Sequence, residues 1–167
     1  DREFLVHAMN WFDEYENQKP EYWVHLRPTT PLRNPKIIDE AIEALYEDKN
    51  ATSLRSGHKA TESPHKWFRK NQQGYFCGIL ESSKNDENYN LPKEVFEPVY
   101  IPDGYIDIVR RSVIMSGNQI HGKKILGFES PVTTEVDSIS EFEFIKYQIE
   151  KYGSILKDYL DAHEGRV

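Results

Sequence analysis

Apolar residues recur at helical spacing from the first residues of the chain. Phe4, Leu5, Ala8, Met9 and Phe12 form one stripe, the period of an amphipathic helix. Pro20 closes that pattern, and Tyr22-Trp23-Val24-His25-Leu26 reads as a short buried strand. The prolines of Arg27-Pro28-Thr29-Thr30-Pro31-Leu32-Arg33 exclude a sheet interior, because proline lacks the ladder donor. Asn34 then caps a second helix with Pro35 at its first position, and Ile37, Ile38, Ala41, Ile42 and Leu45 supply the apolar face. Strand, Pro-bounded loop and helix make one unit of a parallel sheet.

Beyond residue 50 the pattern is coarser. Strands are expected at 51–55, 67–69, 75–80, 99–101, 105–109 and 124–128, with a loop over 56–66 and a Pro-Asp-Gly turn at 102–104. The polar stretch 81–90 (ESSKNDENYN) reads as a solvated or locally mobile loop. Ser138-x-x-Glu141 is a capping box opening a helix to about Lys151, with Phe142, Ile145 and Ile149 on one face. Gly153 ends it, and 154–162 forms a final helix. No repeat or linker divides the chain, so residues 1–167 are expected to form one α/β domain.

Composition narrows the function. Twenty-one Lys and Arg against 28 Asp and Glu leave a net charge of -7, the wrong sign for a general nucleic-acid binder. Any anionic ligand must therefore be held by a few placed cations. No apolar run approaches the roughly 20 residues of a transmembrane helix, and no leader opens the chain, so no membrane contact and a cytoplasmic location are expected. Asn50-Ala51-Thr52 matches a glycosylation acceptor by chance. A single cysteine excludes a disulfide framework, and Cys77, in the apolar run 75–80, is expected in the core. The six histidines show no zinc-site spacing. Residues 117–124 (GNQIHGKK) almost spell a phosphate loop, but Lys124 stands where Ser or Thr would bind magnesium, and a strand follows.

The richest constellation is the loop 27–33. In open α/β sheets ligands bind beyond the carboxyl ends of strands, and here two guanidiniums and two hydroxyls follow such an end. The same segment is equally a proline-rich connector with solvated arginines. Glu135 and Asp137, two apart in an extended segment, would share a face and could share a hard cation with phosphate and water. Read from spacing alone, Asp137 simply suits the dipole of the helix that follows.

These strings resemble a known family. LRPTTPLRNPKIIDEAIEAL (26–45) is similar to the LQPTSPLR-type segment and following helix of the acylneuraminate cytidylyltransferases, the CMP-sialic acid synthetases and relatives. Glu62-Ser63-Pro64 resembles their ESP-type loop, 103–108 (DGYIDI) their NGAIYI-like strand, and 135–142 (EVDSISEF) their DIDTELDF-type segment. The matches run in order along essentially the whole chain. The resemblance implies a three-layer, Rossmann-like nucleotidyltransferase fold with a mostly parallel sheet. It implies joining of CTP to an eight- or nine-carbon 2-keto sugar acid, with Mg²⁺ and release of pyrophosphate. By resemblance Arg33 and Asp137 are catalytic, and Glu135 with Asp137 holds the metal. Arg27, Thr29 and Thr30 bind substrate, and Tyr105, Asp107 and His121 face the sugar. A homodimer is implied, its contact placed at residues 56–95. Three departures stand out: Glu135 replaces Asp, Arg27 replaces Gln, and Thr30 replaces Ser. The family's amino-terminal strand and its Gly-, Lys- and Arg-containing triphosphate loop have no counterpart in these residues. The 167-residue chain is therefore expected to lack activity by itself. The other reading is a non-catalytic remnant retained for dimerisation or sugar-acid binding.

Overall fold

A computed structural model describes residues 2–80 and 87–163. The chain forms two compact units: Asp1–His58 with Pro102–Val167, and Lys59–Ile101. The second overlaps the segment 56–95 singled out as a contact region. Every site residue discussed below lies in the first.

In the first unit, α1 (Arg2–Trp11) widens into a π-type turn at Phe12–Glu16 and stops at Asn17, which sits left-handed at φ 51°. Strand β1 (Tyr22–His25) leads through the Pro-bounded loop to α2 (Pro35–Glu47), where the Asn34 side chain accepts the Lys36 N–H as expected of the cap. Then come β2 (Ser53–Lys59), β5 (Tyr100–Arg110), α3 (Arg111–Ser116), β6 (Ile125–Glu129), α4 (Ile139–Tyr152) and α5 (Ile155–His163). The capping box at α4 forms: the Ser138 hydroxyl accepts the Glu141 N–H, and the Glu141 carboxylate reaches back to the N–H of Asp137.

The sheet order is β1-β5-β2-β6. It is mixed rather than mostly parallel. Strand β1 runs antiparallel to β5, whereas β2 and β6 are parallel. The reason is that β5 inserts between the two strands that α2 connects, and so interrupts the expected parallel neighbours.

Alternation along β5 sorts the two faces. Ile106 and Ile108 join Leu54 beneath Ala41 and Leu45 of α2. On the other face Val109 packs with Leu5 and Met9 of α1 and Ile114 of α3. Helices thus cover both faces, giving the three layers. These side chains are nearly or wholly buried, and each one larger than Ala41 contributes roughly 1.5–3 kcal/mol.

Two expectations fail locally. Residues 102–104 form no turn between strands, because Gly104 absorbs the irregularity at φ 64° and β5 continues through it. Strand β2 runs on to Lys59, past the loop expected from residue 56.

The second unit holds the antiparallel hairpin β3 (Phe68–Lys70) and β4 (Phe76–Gly78). Its rings are largely exposed, with Tyr75 and Phe76 at 70% and 71%. Cys77 is half-buried in this hairpin, not in the core, because a two-stranded hairpin has too little mass to enclose it. Residues 81–86 of the polar stretch lie outside the described residues.

Candidate functional site

The loop after β1 is braced from within. Arg33, only 8% exposed, donates from Nε to the Tyr105 carbonyl at 2.6 Å, and from Nη2 to the carbonyls of Arg27 at 2.7 Å and Gly104 at 3.0 Å. One guanidinium fork thereby fixes both ends of the loop's approach to β5. Burial pulls its pKa below the ordinary value, with Tyr105 and Asp103 opposing that pull. Thr30 is fully buried and its hydroxyl donates to the Asp103 carbonyl at 3.4 Å. Tyr105 is likewise inside, its hydroxyl accepting the Asn34 N–H at 2.6 Å. Arg33, Thr30 and Tyr105 therefore hold the scaffold of the loop.

Asp103 is the hub of this scaffold. Its Oδ1 accepts from Ser56 Oγ at 2.7 Å and from the Tyr105 N–H at 3.0 Å. Its Oδ2 meets His58 Nδ1 at 3.2 Å and accepts from Ser130 Oγ. Burial works to raise its pKa, but the hydroxyls of Ser130 and Ser56, the Tyr105 N–H and His58 outweigh it and hold the carboxyl below its usual range. Sequence reading placed Asp103 in a turn and missed this role.

Across the α1 face of the sheet lies a cavity of about 150 Å³ lined by Leu5, His25, Arg27, Arg55, Asp107, Val109, Ile120 and His121. Three of the expected substrate-binding residues, Arg27, Asp107 and His121, converge here. His25 is brought opposite Asp107 by the antiparallel register of β1 and β5. The buried Asp107 carboxylate lies 3.5 Å from Arg55 Nε and 3.9 Å from Arg27 Nη2. Both distances leave the ion pairs loose. Burial, reinforced by Arg27, lowers the pKa of His25. Burial also lowers that of His121, with Asp107 opposing and Arg55 and Arg27 assisting. Both imidazoles are therefore neutral at neutral pH. Arg55 and His25 were missed from sequence. The available signal was Arg55 set among the small or apolar residues Ser53, Leu54, Ser56 and Gly57.

The near phosphate loop has a different use. Thr52 Oγ lies 2.6 Å from the His121 carbonyl and accepts the Lys124 N–H at 3.0 Å, and the Thr52 N–H donates to the Lys124 carbonyl at 2.8 Å. This clasp presents His121 to the cavity. Gly122 permits it: at φ 73°, a Cβ there would sit 2.8 Å from Thr52 and 3.1 Å from Val113. Gly122→Ala is expected to cost about 1–3 kcal/mol through crowding and strain and to displace His121. Urea denaturation and the imidazole NMR signal of His121 measure the two effects; wild-type values for both would refute the clasp.

The two remaining acids stand apart from the cavity floor. Glu135 is half-buried and accepts from Thr29 Oγ at 3.3 Å, while the Val136 N–H donates to the Thr29 carbonyl at 2.7 Å. Asp137 is exposed just before α4. Among the described residues no group of three or more His, Cys, Asp or Glu forms a ready-made metal cage. Glu135 and Asp137 offer hard oxygens of the kind a Mg²⁺ uses when phosphates and water complete its shell.

No protein-family model matches the chain, and no curated protein matches it. Among solved structures, CMP:2-keto-3-deoxy-manno-octonic acid synthetase complexed with CTP matches with a TM-score of 0.57. The match covers 90% of this chain and 68% of that one at 14% sequence identity. The chain shares that synthetase's fold. Among the described residues no helix is long and apolar enough to cross a membrane.

Proposed function

We propose that this chain is the sugar-acid side of a CTP-dependent cytidylyltransferase acting on an eight- or nine-carbon 2-keto sugar acid. The observation that carries the reading is the convergence of Arg27, Asp107 and His121 in one cavity, on a fold shared with a synthetase of that class. The guanidiniums of Arg27 and Arg55 suit the planar carboxylate of a sugar acid. Asp107 and the two neutral histidines offer acceptors and donors for its hydroxyls.

In the reaction the anomeric hydroxyl attacks the α-phosphorus of CTP. An O–P bond forms to the sugar, the hydroxyl proton passes to water, and pyrophosphate leaves with the electrons of the broken P–O bond. The Mg²⁺ would be held by Glu135 and Asp137 and would supply charge neutralisation on the phosphates. Thr29 orients Glu135, and Arg33 keeps the loop that carries Arg27 in place. The homodimer would form through the Lys59–Ile101 unit, whose exposed Trp67, Phe68, Tyr75 and Phe76 provide the aromatic surface such contacts favour.

The test is to titrate 2-keto-3-deoxy-manno-octonic acid and CTP separately into the purified chain by calorimetry. Pyrophosphate release is assayed in the same chain and in one extended upstream, each with Asp137→Asn. The sugar acid is expected to bind the 167 residues. Turnover is expected only in the extended chain, and Asp137→Asn is expected to abolish it, because an amide cannot supply the charge that holds a hard cation. Absence of sugar-acid binding in that titration would overturn the reading.

A further inference from the structure

The carboxyl end of the sheet, where ligands of α/β folds bind, holds a histidine without a role so far. Strands β2 and β6 run parallel with Gly57 opposite Glu129, so His58 and Ser130 follow that pair directly. Asp103 reaches both from β5. Its Oδ2 accepts from Ser130 Oγ and lies 3.2 Å from His58 Nδ1, while Ser56 and the Tyr105 N–H hold Oδ1. The Asp103 carboxyl is held below its usual range, so it meets the imidazole as an anion. An anion at that place keeps a proton on Nδ1 and leaves the lone pair on Nε2. Among the described residues Nε2 has no hydrogen-bond partner, and the side chain is 19% exposed. No other histidine among the described residues is paired with a carboxylate.

We propose that His58 is the general base of the transfer, taking the proton of the sugar acid's anomeric hydroxyl on Nε2, with Asp103 as its positioning residue. The proposal rests on the sugar-acid reading above. In a 2-keto sugar acid one carbon carries both the carboxylate and the attacking hydroxyl, so the base must stand close to the cation that holds the carboxylate. Gly104, next to Asp103, marks that place: a Cβ there would lie 3.3 Å from Arg27 Cδ and 3.8 Å from Glu135 Oε1. The imidazole's carboxylate partner is thus one residue from the seat shared by the arginine assigned to the sugar acid and the acid assigned to the metal. As the hydroxyl oxygen bonds to the α-phosphorus, its proton moves to Nε2 and pyrophosphate leaves with the electrons of the broken P–O bond. The imidazolium, stabilised by Asp103, then gives the proton to water. His25 and His121 suit the step less, because neither has a hydrogen-bonded carboxylate and burial disfavours their protonated forms. The charged groups around His58 are Asp103 on β5, Arg27 and Arg33 after β1, Glu129 closing β6, Glu135 before α4, and Lys59 next in the chain.

The test measures pyrophosphate release across pH in the upstream-extended chain and in its His58→Gln, His25→Gln and His121→Gln variants, with CTP saturating and 2-keto-3-deoxy-manno-octonic acid varied. In the wild type kcat/KM is expected to rise with pH along an ascending limb, because the base works unprotonated. His58→Gln should lower kcat at least about 100-fold, leave KM for the sugar acid nearly unchanged, and flatten the limb. His25→Gln and His121→Gln should act mainly on KM and keep the limb. NMR titration of the His58 imidazole in the CTP-loaded wild type should give the midpoint of that limb. If His58→Gln keeps its kcat and its limb, or the limb is lost from His25→Gln or His121→Gln instead, the inference is overturned while the sugar-acid reading stands. If His58→Gln does not fold, the NMR comparison decides alone, coincident midpoints supporting the inference and separate ones overturning it. If the extended wild type releases no pyrophosphate, the inference fails. The calorimetric sugar-acid titration then shows whether the underlying reading fails with it.

Discussion

Arg33→Ala is expected to destabilise the chain by about 3–5 kcal/mol, a fall in thermal midpoint on the order of 10 °C. The substitution orphans the carbonyls of Tyr105, Arg27 and Gly104 together, in a place with little access to water. Each buried acceptor left unpaired costs about 1–3 kcal/mol, and the three are not additive because the loop relaxes. Arg33→Lys should recover only part of the loss, since an ammonium cannot reproduce the fork. Arg27→Ala should move the midpoint far less, within about 1 kcal/mol, because its ion pair with Asp107 is long and its side chain is 35% exposed. Its effect should fall on ligand binding instead. Differential scanning fluorimetry of the three variants separates these outcomes; an Arg33→Ala protein as stable as wild type would remove the brace.

Asp103→Asn is expected to cost about 2–4 kcal/mol at neutral pH, and the cost should shrink on acidification. The amide keeps one acceptor oxygen, but its NH₂ faces donors, so contacts to Ser56 and the Tyr105 N–H or to Ser130 and His58 are lost. The pH sign follows from the depressed pKa. A carboxyl held below its unfolded value contributes stability that is fully present above that value, near 3.8, and is lost as pH falls through the lower folded value. Urea melts at neutral pH and at about pH 3 should therefore show the wild type converging on the variant. A gap that stays constant across that range would mean that Asp103 is not the titrating hub.

Much of this was written locally in the chain. The stripes of α1 and α2, the Asn34 cap and the Ser138 box each depend on residues within a turn of one another. Asp103 was read as a turn residue because Pro-Asp-Gly has that local meaning. Its actual partners, Ser56 and Ser130, are 47 and 27 positions away. Arg55 and His25 joined the site for a similar reason: strand order and the antiparallel register of β1 on β5 brought them to Asp107, and neither is encoded by periodicity. Resemblance pointed to Arg27, Asp107 and His121 one at a time; that they meet in one cavity emerges only from the folded chain.

The Arg33 brace grips main-chain carbonyls, and a carbonyl is present whatever side chain its residue bears. Position 27 is therefore anchored through a group that evolution cannot alter, while the side chain that lines the cavity is free to change. Gln in place of Arg27 would leave the brace untouched and subtract one charge from the cavity. If the cavity takes the sugar acid as proposed, its selectivity can in this way diverge by single substitutions, without any intermediate that compromises folding.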